Sequence, residues 1–324
     1  MAKEKKSKWK IGFKLLIWIT LLPIAGLTYF LFANQAPILE GKIIYGEEYR
    51  TGQELDIYMP TEKKYEQTPV VVFVHGGAWV GGFKESVNSN RFNEVFNRLR
   101  AEGYAIISPN YTLAREGVSP FPDCIRDVYE VMYWVENNAE TYQFDLENVG
   151  IFGESAGAHI SLMIAYDSSK KYTNKNFTYP LRYVVDIYGP NELQGIYHQH
   201  TVDSMNALIE ELPEPIKSSL NITEYLFGFD PKSDTLRATE YLIKNSPIEY
   251  VHENIPPTLI IQGDEDLIVP LDQSIGLSQK LDSLNVTNHL HIIPEANHGF
   301  IGATKNQKEE IQNWIYEFIA QYYQ

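Results

Sequence analysis

The chain has 324 residues, with 42 acidic against 27 basic side chains and a formal net charge of −15. Lys3, Lys5, Lys6, Lys8, Lys10 and Lys14 against Glu4 give residues 1–14 a charge of +5, which leaves −20 on the rest. An acidic body excludes nucleic acid as a partner, 44% hydrophobic residues exclude a disordered chain, and the single cysteine, Cys124, excludes internal disulfides and a cysteine zinc site.

Residues 15–33 form an uncharged apolar run of 19 residues. As a helix rising about 1.5 Å per residue it spans roughly 28 Å, close to the hydrocarbon thickness of a bilayer. Pro23 and Gly26 weaken a water-exposed helix but are tolerated in a membrane. The lysines precede the run, so the charge rule keeps the N-terminus in the cytoplasm and sends the rest of the chain outside. The sequence therefore predicts a basic cytoplasmic tip (1–14), a single-pass transmembrane signal-anchor (15–33) and an external domain (40–324). A cleaved signal, which would release a secreted protein, is the alternative. It fits less well, because the run is long and the nearest cleavage point, after Ala36, has Asn34 at the −3 position. A buried core helix gives no reason for six flanking lysines.

Strand-like stretches follow at 42–46 and 54–59. Residues 69–74 (PVVVFV) are a continuous β-branched run, the mark of a strand buried on both faces. A helix is expected over 88–102, a strand over 104–108, a helix over 123–137, a short strand over 149–152 and a helix over 156–166. Further strands are expected at 183–188, 258–262 and 289–293, with helices at 271–284 and 307–322. Such alternation implies an α/β fold with a mostly parallel sheet covered on both faces. From about 190 to 250 it is interrupted by acidic, Pro-punctuated, helix-like pieces (Glu210, Glu211, Pro213, Glu214, Pro215), which read as a lid insertion over the carboxyl ends of the strands.

The sharpest local signal is Gly153-Glu154-Ser155-Ala156-Gly157, between an expected strand and an expected helix. A G-x-S-x-G turn of this kind exposes a serine hydroxyl on a strained elbow. That hydroxyl is a poor nucleophile near neutral pH and needs an imidazole base oriented by a carboxylate. His298, in the loop after the last strand, is the candidate base, whereas His291 alternates within that strand and reads as a packing or surface residue. Asp264, Glu265 and Asp266 compete for the carboxylate. Asp266 is preferred in its D-x-x-V-P setting with Val269 and Pro270, Asp264 reads as a turn cap and Glu265 as solvent-facing. Backbone N–H groups must also meet the oxyanion of acyl transfer. The small residues of His75-Gly76-Gly77-Ala78-Trp79 and the amide of Ala156 are the candidates, with His75 read as structural.

Taken together, His75–Trp79, Pro109-Asn110-Tyr111, the pentapeptide around Ser155, Gly263–Pro270 and Asn297–Phe300 resemble the α/β-hydrolases over roughly residues 40–322. The specific resemblance is to the hormone-sensitive-lipase-like esterases and the related bacterial feruloyl- and acetyl-esterase-like group. It implies an α/β-hydrolase fold and Gly77, Ala78 and Ala156 as oxyanion donors; Ala78 stands where the group usually has a third glycine. The implied activity is a serine carboxylic-ester hydrolase for small, short-acyl esters, working through an acyl-enzyme with neither metal nor organic cofactor. An amidase or exopeptidase with the same triad, and a catalytically silent binding module, are the rival readings. The expected partners are a small-molecule ester and, through the N-terminal helix, the membrane.

Overall fold

The computed structural model describes residues 41–89, 91–167, 177–198 and 226–323. Its frame is an eight-stranded sheet in the order β1-β2-β4-β3-β5-β6-β7-β8. The strands are β1 (Ile43–Arg50), β2 (Gln53–Tyr58), β3 (Thr68–Val74), β4 (Ala105–Pro109), β5 (Phe144–Glu154), β6 (Leu181–Ile187), β7 (Thr258–Gly263) and β8 (Asn288–Ile293). β1–β2 and β2–β4 pair antiparallel, and every pairing from β4 to β8 is parallel.

β3 shows why a continuous apolar run makes a central strand. All seven residues are buried. Val70, Val72 and Val74 enter one core layer and Val71 and Phe73 the other, as the two-residue period of a strand requires. The first layer is closed by α2 (Asp123–Asn137), α3 (Ala156–Tyr166) and α6 (Leu271–Ser283), through residues such as Val128, Met132, Ile160, Met163 and Leu277. α1 (Asn93–Ala101) and α7 (Lys305–Gln321) close the second, through Phe96, Leu99, Ile311 and Ile315. The reach of α7 is set at its start by a capping box, in which the Thr304 hydroxyl accepts from the Gln307 amide and the Gln307 side chain accepts from the Thr304 amide.

Several boundaries differ from the sequence expectation. The helix expected over 88–102 is a 3-10 turn, Lys84–Ser89, followed by α1; Asn93 at the start of α1 donates its side-chain amide to the Asn88 carbonyl and separates the two. β5 begins at Phe144, because Thr68 pairs with Phe144 ahead of the regular register that starts at Val149. β1 runs on to Arg50, past the expected limit at 46, as an edge strand paired with β2. Between β6 and β7, α4 (Leu193–His198), α5 (Thr235–Lys244) and the 3-10 turn Pro247–Tyr250 are helical, as expected of the insertion; the acidic stretch 210–215 lies outside the described residues. The predicted anchor 15–33 also lies outside them, and among the described residues no helix is long and apolar enough to cross a membrane.

The described chain enters at the end of the sheet away from the carboxyl ends of the parallel strands. Ile43 pairs with Tyr58, and Tyr58 pairs with Ile106 near the start of β4. The loops after β3, β5, β6, β7 and β8 all open at the other end, where open α/β sheets place their ligand sites.

Candidate active site

Ser155 occupies the turn between β5 and α3 at φ 50, ψ −120, a conformation costly for a residue with a side chain. Its surroundings hold it there. The Ser155 amide donates to the Ile187 carbonyl at 2.9 Å, and the His159 amide donates to the Ser155 carbonyl at 3.1 Å. Gly157 lets α3 start directly against the β3 backbone, since a Cβ at that position would run into the Val74 carbonyl.

His298 Nε2 lies 3.1 Å from Ser155 Oγ, and His298 Nδ1 lies 2.8 Å from Asp266 Oδ2. The Asp266 side chain is fully buried and that of His298 is 18% exposed, so the pair sits at the floor of the mouth rather than in bulk water. Asp266 has both oxygens engaged: Oδ1 accepts from the Ile268 and Val269 amides, and Oδ2 accepts from the Gln262 side chain as well as facing His298. A buried carboxylate met by this many donors is fixed in its orientation. The other two acids take the places expected of them. Asp264 accepts from the Glu295 amide, closing a turn, and Glu265 is exposed. His291 stacks on Trp314 at 4.0 Å, far from this chemistry in role.

The loop after β3 curls over the nucleophile. Gly77, Ala78 and Trp79 all have left-handed backbone, at φ 124, 51 and 59. Among the described residues, neither the Gly77 nor the Ala78 amide has a hydrogen-bond acceptor, and Ala156 begins α3 immediately after Ser155. The first turn of a helix leaves its amides without intrahelical partners. His75 is buried beneath the loop, stacks on Tyr111 at 4.3 Å and directs Nδ1 to the Gly76 carbonyl; burial lowers its pKa and keeps the ring neutral. Tyr111 Oη donates to the His75 carbonyl, and the Lys84 amide donates to Asn110 Oδ1, so the Pro109-Asn110-Tyr111 segment braces the same loop.

The structure thus brings Ser155, Asp266 and His298 into one hydrogen-bonded row, with Ala156 next to Ser155 in the chain and Gly76, just before Gly77 and Ala78, close against the Ser155 side chain. Sequence reasoning missed the residues that hold the row. Gln262 donates to both Asp266 Oδ2 and the Val269 carbonyl and accepts from Ser274 Oγ. Asn297 Oδ1 accepts from the Leu267 and His298 amides, tying the acid loop to the base loop. A polar side chain closing an apolar strand, as in 258–262, was the one available signal for Gln262.

Comparison with known proteins agrees with this geometry. The BD-FAE family model matches residues 55–281, well over half of the chain. Esterase LipC of Mycobacterium tuberculosis (strain ATCC 25618 / H37Rv) is 25% identical over 260 residues, covering 80% of this chain and 59% of that protein. The probable carboxylic ester hydrolase LipM of the same organism is 24% identical over 294 residues, covering 88% and 61%. The chain spans about three fifths of the length of these relatives. Among solved structures, a truncated form of a carbohydrate esterase from gut microbiota superposes with a TM-score of 0.69 at 21% identity, covering 89% of this chain and 99% of that one. A hyperthermophilic esterase from the archaeon Pyrobaculum calidifontis superposes at 0.65 and 23% identity, covering 91% and 89%. Those likenesses show the common α/β-hydrolase fold, and the extent of the family match shows membership: the chain belongs to the BD-FAE family of α/β-hydrolases.

Proposed function

We propose that the protein is a serine carboxylic-ester hydrolase in which Ser155 is the nucleophile, His298 the general base and acid, and Asp266 the group that orients the imidazole. The observation that carries this reading is the continuous row from Ser155 Oγ through His298 to Asp266 Oδ2, at 3.1 and 2.8 Å. His298 Nε2 takes the Ser155 proton as Oγ attacks the ester carbonyl. The amides of Gly77, Ala78 and Ala156 hold the oxygen on which negative charge develops, in a site where fixed dipoles act strongly. The imidazolium then gives its proton to the leaving alcohol, and water repeats the sequence on the acyl-enzyme.

Short acyl groups suit the loop over the nucleophile. Ala78 adds a methyl beside its amide, and the neighbouring Trp79 ring closes against Phe121 at 5.4 Å and His159 at 5.2 Å. A fluorophosphonate probe should label Ser155, and Ser155→Ala should lose labelling and at least about 10³-fold of its turnover of p-nitrophenyl acetate. An unlabelled intact protein, or an active Ser155→Ala, would sink the reading. Turnover should fall as the acyl chain lengthens, and matched p-nitroanilides should be cleaved far more slowly than esters; the reverse preference would assign an amidase.

The 19 uncharged residues of 15–33, behind six lysines, support a single membrane span with the catalytic domain outside.

A further inference from the structure

We propose that Tyr188 is a positioning residue for His298, locked by Glu154 and Arg91 into a brace against the base; this rests on the serine-hydrolase reading above. The hydrogen bonds of His298 to Ser155 and Asp266 act at its two ring nitrogens, in the plane of the imidazole. Motion out of that plane needs a different restraint. Tyr188 adds a packing restraint on the ring, because its own ring lies 4.7 Å from the imidazole at an angle of 60° and 5.0 Å from the Phe300 ring at 72°. It thereby supports both ends of the turn His298–Phe300.

Tyr188 is itself held from three directions. It leaves β6 with φ 42, a left-handed conformation disfavoured for an aromatic residue, and its amide donates to the Ile261 carbonyl at 2.9 Å. Its hydroxyl donates to Glu154 Oε2 at 2.9 Å, and Glu154 is the residue immediately before the nucleophile. Tyr188 is 2% exposed and Glu154 9%, so this is a desolvated bond to a carboxylate, among the stronger kinds. Burial, then the Glu154 charge, push the Tyr188 hydroxyl well above its usual pKa, which keeps it a donor at any working pH. Arg91 completes the brace. Its Nε lies 4.0 Å from Glu154 Oε2 and its guanidinium 5.8 Å from the Tyr188 ring centre. A Cβ on Gly299 would strike Arg91 Nη1, so the residue after the base rests directly on the guanidinium.

The consequence is a second link between nucleophile and base. One runs through space from Ser155 Oγ to His298 Nε2; the other runs through Glu154 and Tyr188 to the imidazole ring. Small misplacement of a general base is expensive in rate, so such a link acts on the chemical step rather than on substrate binding.

The test compares Tyr188→Phe, Glu154→Leu, Glu154→Gln and the double variant Tyr188→Phe/Glu154→Leu in the full chain, with Ser155→Ala alongside. Tyr188→Phe keeps the ring and removes only the hydroxyl. It should lower kcat for p-nitrophenyl acetate about tenfold, with KM changed less than about twofold, and slow fluorophosphonate labelling by a similar factor. Glu154→Leu should match it, and Glu154→Gln, which retains an acceptor, should lose less. The double variant should be no slower than either single one, because both break the same bond. A Tyr188→Phe with wild-type kcat, or losses that multiply in the double variant, would overturn the brace. An active Ser155→Ala would overturn the triad reading instead, without any change at Tyr188.

Discussion

Gly157 and Asp266 show two ways in which one residue controls the site. The Gly157 position has no room for a methyl, because α3 begins against the Val74 and His75 carbonyls. Gly157→Ala must therefore push the elbow away from β3, and a stability loss of about 2–3 kcal/mol with loss of labelling is expected, read by thermal melting and probe labelling. Asp266→Asn is the opposite case. Asparagine keeps an oxygen for the Ile268 and Val269 amides but turns a donor toward Gln262 or His298. Turnover should drop by roughly 10³–10⁴, while the melting temperature moves by only a few degrees. A variant that keeps more than about a tenth of wild-type turnover would remove Asp266 from its role. Ser155, Asp266 and His298 were legible in the sequence because each sits in a short local pattern behind a strand. Asn297 and Tyr188 were not, because what they do is made by contacts between segments distant in sequence, and Gln262, which acts on its near neighbours Asp266 and Val269, left only the sign of a polar side chain ending an apolar strand.

At the level of elements, β6 and α3 each bury a titratable group on the inner side of the site. Asp186 on β6 is fully buried; its Oδ1 accepts from the Gly189 amide, and its Oδ2 has no partner among the described residues, so burial raises its pKa to about 7. The unfolded carboxyl ionises near 4. The folded state therefore has the relative advantage at low pH and loses it progressively as pH rises from about 4 to about 7. Asp186→Asn keeps the acceptor for Gly189 and cannot ionise. Its stability relative to wild type should rise between pH 4 and pH 8, by up to about 4 kcal/mol at roughly 1.4 kcal/mol per pKa unit. Denaturant melts at the two pH values check this, and an unchanged difference would contradict it. His159 on α3 works the other way: burial lowers its pKa to about 4, so it costs stability as pH falls from about 6.5 toward 4. The strand and helix order was readable from apolar periodicity, and the helix limits 123–137 and 156–166 coincide with α2 and α3. β1, β5 and the start of α1 were not, because pairing register and a side-chain bond to Asn88 decide where they begin and end.

For the whole molecule, the end of the sheet at which the described chain begins bears on how the proposed membrane span would present the site. The described chain begins at Gly41, at the end of the sheet opposite Ser155. If residues 15–33 span the membrane, the full chain should sediment with membranes, and a chain lacking residues 1–33 should be released with its esterase activity intact. Protease added outside should digest the catalytic domain, whereas a domain protected until lysis would reverse the orientation. The acidity of the body has no structural explanation at the site.

The sequence by itself determined the class of fold and singled out Ser155, Asp266 and His298 as candidates, because hydrophobic period and short motifs are local properties that survive in one dimension. Only the tertiary structure decided which oxygen of Asp266 faces His298, that Gly77 and Ala78 are left-handed, and that Tyr188 packs against the base. Those are distances and angles between side chains on separate strands, and they exist only once a parallel sheet has carried five loops to the same end.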